Sequence, residues 1–417
     1  MVSSVVSTLA INGDRLMAMI RQLAQLGALP NGGVQRLAFS EADCQARTLV
    51  SGWMVEAGMT VQTDPAGNLI GRYAGRFDDA PPLMTGSHID TVPNAGHYDG
   101  TYGVLAGIAV VAAFSSQGQH LDHPLEVVVF ADEERTMIGC KAMAGQLLPD
   151  AELYRSRSHE SIQDCLARAG GDWAMIAQAQ RSPASLAAFV ELHVEQGPVL
   201  TSADKQIGVV TGIVGQQRYW ITVTGQSSHA GTTPMPMRQD ALVAASQLVL
   251  AINRIGSQPG DQVATVGRME LHPNVPNSIP GQVEMSLDLR DLSTGRLRHL
   301  LFEIQQEIEA IAAATGTQIS IEQRLYNEPA PANSHIQTAI AQVCDDLQLS
   351  HCALPSRASH DAQELSRITD MGMIFVPSEG GISHAETEYT SPQDCLNGAT
   401  VLLHTLLRLD QHYHCHR

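Results

Sequence analysis

Gly86-Ser87-His88-Ile89-Asp90-Thr91-Val92-Pro93-Asn94-Ala95-Gly96-His97-Tyr98-Asp99-Gly100 sets His88, Asp90 and Asp99 between an expected strand and an expected helix. The apolar pair Leu83-Met84 feeds into it as a strand, and a helix is expected from about Tyr102. A second strand, Leu125 to Phe130, follows that helix. Strand, helix, strand in this order predicts a sheet covered by helices. In open sheets of this kind, ligands gather beyond the carboxyl ends of the strands. His88 falls at such an end. Asp90 sits two residues on, where its carboxylate can hold the second imidazole nitrogen of His88 and so fix the tautomer. Asp99 precedes the helix, and the two oxygens of a carboxylate there can each serve one of two cations.

Three further segments repeat the pattern. Ala131-Asp132-Glu133-Glu134 follows the strand Leu125-Glu126-Val127-Val128-Val129-Phe130. His193 lies in Phe189-Val190-Glu191-Leu192-His193-Val194-Glu195-Gln196-Gly197, and His384 ends Ile374-Phe375-Val376-Pro377-Ser378-Glu379-Gly380-Gly381-Ile382-Ser383-His384. Taken singly, adjacent acids are a solvated turn and a histidine beside an apolar run is a core residue. Four strand ends that together offer His, Asp, Glu, His and His go beyond what packing explains. In such a site one glutamate binds metal and its neighbour handles the proton.

Two residues further along carry open alternatives. His229, in Gly225-Gln226-Ser227-Ser228-His229-Ala230-Gly231, is either a turn histidine or a stabiliser of a tetrahedral oxyanion. Arg290 ends a strand and follows Asp288. It is either half of a structural ion pair or, with Asn277, a two-pronged clamp for a substrate carboxylate.

The chain has 417 residues and 44% hydrophobic residues, the composition of a globular protein long enough for two domains. A formal charge of -18 disfavours nucleic acid and anionic membranes as partners, because there is no basic field to neutralise phosphates. Seven cysteines without a CxxC pair fit a reducing compartment. The longest apolar run, Val104 to Phe114, is too short for a bilayer, and Met1-Val2-Ser3-Ser4-Val5-Val6 lacks the basic start of a signal peptide. The expected location is the cytoplasm. The tail His412-Tyr413-His414-Cys415-His416 reads as a frayed end able to capture metal adventitiously.

Helical periodicity covers residues 14–30 and 41–57, and short strands are expected at Thr60-Val61-Gln62-Thr63 and Asn68 to Tyr73 around Pro65-Ala66-Gly67. Residues 135–186 read as irregular helix. From about Gly212 the pattern becomes strand (Arg218–Thr224), helix (Arg238–Ile255), two strands (Val263–Leu271, Gln282–Leu289), helix (Thr294–Ala314) and strand (Gln318–Arg324). This is the ferredoxin-like order. The expected fold class is α/β with helices on both sheet faces, plus an inserted ferredoxin-like α+β domain. The expected domains are 1–212 with 329–417, interrupted by 213–328.

With these residues in hand, the chain resembles the hydantoinase/carbamoylase-type di-metal amidohydrolases, which include allantoate amidohydrolase, N-carbamoyl-L-amino-acid hydrolase and β-ureidopropionase. They belong to the wider aminoacylase and carboxypeptidase G superfamily. The resemblance runs from Gly33-Val34-Gln35-Arg36-Leu37-Ala38-Phe39-Ser40 to Ile382-Ser383-His384. It is most specific at Gly86–Gly100, Val190–Gly197 and Ser228-His229-Ala230-Gly231-Thr232-Thr233-Pro234-Met235. It implies a di-metal aminopeptidase-like catalytic domain with two divalent ions (Zn, Mn, Co or Ni). His88, Asp99 and His193 would hold one ion, and Asp99, Glu134 and His384 the other. Glu133 would be the general base, and Gln196, His229, Asn277, Arg290 and His360 would surround the substrate. The implied reaction cleaves the carbamoyl or ureido C–N bond of a small carboxylate, an N-carbamoyl-L-amino acid or allantoate. The implied assembly is a homodimer through the inserted domain, with His229 acting within one chain or across the dimer. His193 disfavours the aminoacylase and dipeptidase branches, which generally use a carboxylate there. The intact set of ligands and base disfavours an inactive ligand-binding relative. Three positions depart from the family pattern. Arg135 replaces the usual glycine after the two glutamates. Arg357-Ala358-Ser359-His360-Asp361-Ala362 replaces Gly-Ala-Gly-His-Asp-Ala, and Asn277-Ser278 replaces Asn-Val.

Overall fold

The computed structural model describes residues 9–414. Cys415 and His416, the end of the histidine-rich tail, lie outside the described residues. The chain forms two compact units, Met1–Gly212 with Ala332–Arg417, and Ile213–Pro331.

The first unit is built on a mixed sheet. Its strands run in the order Thr60–Thr63, Leu69–Tyr73, Leu125–Phe130, Leu83–His88, Ala188–Val194, Met371–Val376 and Ile207–Ile213. The four from Leu125–Phe130 to Met371–Val376 are parallel, and the flanking pairs are antiparallel. Parallel strands are covered on both faces and therefore read as nearly continuous apolar runs. Leu125–Phe130 and Met371–Val376 do so, and both are buried throughout. The one charge in the first of them, Glu126, is buried but held by Arg72 at 3.1 Å and Arg181 at 3.0 Å.

Alternation along each strand divides the two faces. Leu125, Val127, Val129, Val190, Leu192, Ile374 and Val376 join one core with the helix Thr101–Ser116. That helix is apolar on every side because Gly13–Leu23 and Pro392–His414 cover its outer surface. On the opposite face the short helices Asp361–Leu365 and Ile138–Met143 pack together, and the first of them lies against the strands. Residues 135–186 form short helical pieces, among them Ile162–Arg168 and the 3₁₀ turns Ala151–Tyr154 and Trp173–Ala179.

The second unit has four long-paired strands in the order Met269–His272, Gln282–Asp291, Gly215–Thr224 and Gln318–Asn327, all antiparallel. With the helices Ala241–Gly256 and Thr294–Thr315 this is the ferredoxin-like arrangement. Burial alternates along Gly215–Thr224 and Gln282–Asp291, so one sheet face carries the apolar core. The strand expected over Val263–Leu271 is two pieces, Val263–Thr265 and Met269–His272, both against Gln282–Asp291. Thr265 faces Asp288 and Met269 faces Met285, so four steps on one strand oppose three on the other, which is a bulge around Gly267. The helix expected from Arg238 starts at Ala241, because the Asp240 side chain caps the Leu242 and Val243 amides.

One contact ties the sheet to its central helix. A Cβ on Gly103 would lie 2.1 Å from the Leu192 carbonyl oxygen, on the strand that carries His193. Gly103→Ala is expected to push helix and strand apart and to lower stability by about 1–3 kcal/mol, the usual cost of overpacking. Urea unfolding checks this, and an unchanged midpoint would show that the contact has slack.

Candidate metal centre

The carboxyl ends of two of the parallel strands bring the first ligands together. His88 closes Leu83–His88 and His193 lies near the end of Ala188–Val194. His193 Nδ1 faces its neighbour Val194's carbonyl oxygen at 2.8 Å, and His88 Nδ1 faces the Asp90 carbonyl oxygen at 3.0 Å. A carbonyl only accepts, so in the neutral rings both Nδ1 atoms carry the hydrogen and both Nε2 atoms present a lone pair. The expectation that the Asp90 carboxylate would hold His88 is corrected here, since the nearer carboxylate oxygen lies 3.8 Å away. That carboxylate instead faces the amides of Glu133 at 3.4 Å and Glu134 at 3.3 Å, and so shapes the acidic turn after Phe130.

Asp99 stands at the centre. Its Oδ1 lies 3.2 Å from His193 Nε2 and 3.7 Å from His88 Nε2, while its Oδ2 lies 3.3 Å from His384 Nε2. His384 Nε2 is also 3.6 Å from Glu134 Oε1. The ligand atoms of His88, Asp99 and His193 lie within 4.8 Å of one another, as do those of Asp99, Glu134 and His384. Glu133 Oε2 is 3.5 Å from His88 Nε2, beside both groups. Gln196 Nε2 donates to Asp99 Oδ2 at 2.8 Å. His360 is buried, with its ring 4.6 Å from that of His193 and its Nε2 2.9 Å from Ser356 Oγ. A cavity of about 280 Å³ is lined by the ligand side chains with Glu133, Arg135, Gln196, Ser359 and His360.

Several supporting residues were not legible as site residues. Glu388 Oε1 accepts the amides of Tyr98 at 2.9 Å and Asp99 at 3.0 Å, and Ser383 Oγ bridges Glu388 and Asp99. Buried Arg36 donates to the carbonyls of Ile89 at 2.7 Å, Leu23 at 3.0 Å and Leu26 at 2.9 Å, and to Thr101 Oγ1 at 3.2 Å. It thereby clamps both ends of the segment from His88 to Asp99. Gly100 has φ +60°, and a Cβ there would lie 2.4 Å from His88 Nε2. Asp132, Met137, Gln196 and His384 also have positive φ, so strained backbone collects around the cavity. A signal was available for Gly100, which lies inside the quoted motif. None was available for Glu388 or Arg36, whose partners are remote in sequence.

The electrostatics call for cations. Burial, followed by the charges of Asp361, Glu134, Asp90 and Asp99, pushes the Glu133 carboxyl well above its ordinary range. Burial and then Asp99 raise Glu134 to about 7, and burial and then Asp90 raise Asp132 to about 7. Burial opposes the charge on Asp99 as well, but the hydrogen bonds to His193 and His384 outweigh it and hold that carboxyl well below its usual range. Burial would lower His193, yet Asp99 raises it to about 9, and Asp99 likewise brings His384 to about 9. Glu134 Oε1 and both oxygens of Asp361 are buried without a hydrogen-bond partner. Inward-facing imidazole lone pairs, a carboxylate divided between two histidine groups and an excess of buried negative charge fit two divalent ions of the N- and O-ligated kind.

His229, Asn277 and Arg290 belong to the second unit. His229 pairs with Ser278 in a two-stranded ribbon, and the Ala230 amide donates to the Asn277 carbonyl at 3.0 Å, so these two residues are neighbours. His229 Nδ1 accepts the amides of Gly231 at 3.0 Å and Thr232 at 3.2 Å. Its neutral ring therefore carries the hydrogen on Nε2, as a donor. Arg290 Nε donates to Asp288 Oδ1 at 2.9 Å, which is the ion pair that stood as its alternative. The cause is the strand period, which sets residues two apart on one face.

Residues 84–408 match the family model described as Peptidase family M20/M25/M40, and the chain belongs to this family. It is 40% identical to the N-carbamoyl-L-amino acid amidohydrolase of Geobacillus stearothermophilus, over 96% of this chain and 99% of that one. It is 35% identical to the allantoate amidohydrolase of Bacillus subtilis (strain 168), over 94% of this chain and 96% of that one. A hydantoinase/carbamoylase family amidase from Burkholderia multivorans superposes with a TM-score of 0.89 at 38% identity, covering 96% and 98% of the two chains.

A pH dependence follows for the metal-free protein. Groups whose folded pKa is raised contribute stability below their unfolded pKa and lose it as pH rises through the folded one. Asp132 and Glu134, raised to about 7, and His193 and His384, raised to about 9, all act in this direction. Metal-free protein should therefore lose thermal stability from about pH 5 to about pH 9, and the gain in Tm on adding divalent metal should widen over that window. Parallel melting curves across the range check this. A gain that stays constant would separate the metal from these groups.

Proposed function

We propose that the protein is a metal-dependent amidohydrolase that cleaves the carbamoyl or ureido C–N bond of a small carboxylate, an N-carbamoyl-L-amino acid or an allantoate-like compound. The observation that carries this reading is the division of Asp99's two oxygens between His88 with His193 and His384 with Glu134, while Glu133 lies alongside. His88, Asp99 and His193 would hold one divalent ion, and Asp99, Glu134 and His384 a second. Such a pair, when bound, supplies Lewis acidity to the substrate carbonyl and acidity to a shared water.

The protein's own groups carry the rest. Glu133 takes a proton from the attacking water and passes it to the departing nitrogen. Asp90, through the Glu133 and Glu134 amides, keeps the two glutamates in these separate roles. His229, a donor at Nε2, suits the oxyanion of the tetrahedral intermediate. Arg290 and Asn277 take the substrate carboxylate, with Arg290 turning part of its guanidinium from Asp288, and Gln196 and His360 line the remaining wall. The curated relatives reported above carry names for amidohydrolases of carbamoyl amino acids and allantoate, which supports this substrate class. The reading includes a homodimer through the second unit, on which Leu250 and Phe302 are exposed apolar residues. It also includes a reducing compartment, with which the six described cysteines, all free, agree.

Ammonia release from N-carbamoyl-L-amino acids and allantoate by protein loaded with zinc, manganese, cobalt or nickel tests the reading. Absence of release with every metal would sink it. Glu133→Gln is expected to keep the metal content and to lose at least the roughly 10²–10⁴-fold associated with general acid–base catalysis. Elemental analysis and steady-state rates check the two halves. Near-normal turnover with metal bound would move the proton transfer to another group.

A further inference from the structure

Arg135 follows Glu134 directly and lines the 280 Å³ cavity of the metal ligands. It also lines a neighbouring cavity of about 150 Å³, with Ser40, Ser156, Arg157 and Ser158 on its walls. Glu134 and Arg135 line both cavities. Arg135 Nε donates to the Arg155 carbonyl at 2.9 Å, which anchors one edge of the guanidinium plane. Its two terminal nitrogens make no hydrogen bond among the described residues.

Four acids, Asp90, Asp132, Glu134 and Glu160, also line the smaller cavity; Asp90 faces two backbone amides, and Glu134 is a candidate metal ligand. Asp132, next to Arg135 in electrostatic reach, accepts from Thr136 Oγ1. Glu160 is held by Arg168 at 2.9 Å and by Ser158 Oγ at 2.8 Å. Arg157 is exposed and likewise makes no hydrogen bond among the described residues. Two guanidiniums and a row of hydroxyls thus face a small space beside the reacting centre. A planar fork with both prongs unspent suits an anion that offers two oxygens, such as a carboxylate.

We propose that Arg135, backed by Arg157, selects a substrate with a second anionic group, so that the preferred compound is a carbamoyl derivative of an acidic amino acid or a similar dianion. This rests on the amidohydrolase reading above, in which Arg290 takes the first carboxylate. Arg135 takes the second, and the adjoining cavity accommodates the arm that bears it.

The test uses the metal-loaded full chain with two probes of nearly the same shape, N-carbamoyl-L-aspartate and N-carbamoyl-L-asparagine. The ratio of their kcat/KM values is expected to favour the acid by roughly ten- to a hundredfold, as a charge-assisted hydrogen bond supplies. In Arg135→Gln the ratio should fall toward one, and in Arg135→Lys part of it should survive, because charge remains while the fork is lost. Circular dichroism and metal content verify that each variant is folded and loaded. A wild-type ratio near or below one overturns the proposal. So does a ratio that Arg135→Gln leaves unchanged, which would mean that Arg135 serves both probes alike. If neither probe releases ammonia, the amidohydrolase reading fails for them, and calorimetric binding of the same two probes still decides the preference for charge.

Discussion

Mutual repulsion among buried carboxylates is the constraint around which the first unit is arranged. Asp90, Asp99, Glu133, Glu134, Glu191 and Asp361 crowd the carboxyl ends of the parallel strands, where water does not screen them. Each is handled differently. Asp99 sits among three imidazoles, and Asp90 faces two backbone amides. Glu191 accepts from Ser87 Oγ at 2.7 Å and from the Ala362 amide at 3.0 Å. Glu134 Oε1 and the Asp361 oxygens are left without such relief. Of these acids, Asp99 and Glu134 are candidate ligands, and divalent ions held by them would offset part of the cost of the cluster.

Holding these groups apart by the right few ångströms is work for the surrounding scaffold. Arg36 joins the carbonyls of the first helix to both ends of the loop between His88 and Asp99. Glu388, from the other end of the chain, grips the amide of Asp99 itself. Burial lowers Arg36 only to about 10, so it remains charged at neutral pH and keeps its donors. Positive φ values at Asp132, Gln196 and His384 belong to the same effort, because a turn in the ordinary region would aim these side chains elsewhere. The rigid sheet beneath makes such strained turns affordable.

The second unit orients its polar groups by other means. Its antiparallel sheet and two helices present His229 on a short ribbon, with the ring tautomer set by two backbone amides. Arg290 lies on a sheet strand, where its Nε donates to Asp288 Oδ1 at 2.9 Å.

By itself the sequence determined the ligand types and the framework. Histidines and acids placed where β-branched apolar runs stop are visible without coordinates, since strand period and strand ends are local properties of the chain. The ferredoxin-like order of the second unit was visible for the same reason. Only the tertiary structure decided which atoms meet. It gave the His88 hydrogen to a backbone carbonyl rather than to the Asp90 carboxylate, and no sequence pattern names a carbonyl. It brought Glu388 to Asp99 across 289 positions and Arg36 to Thr101 across 65, by packing that local periodicity does not encode. It also broke the strand from Val263 with a bulge, because the pairing register of a partner strand is a property of two segments and not of one.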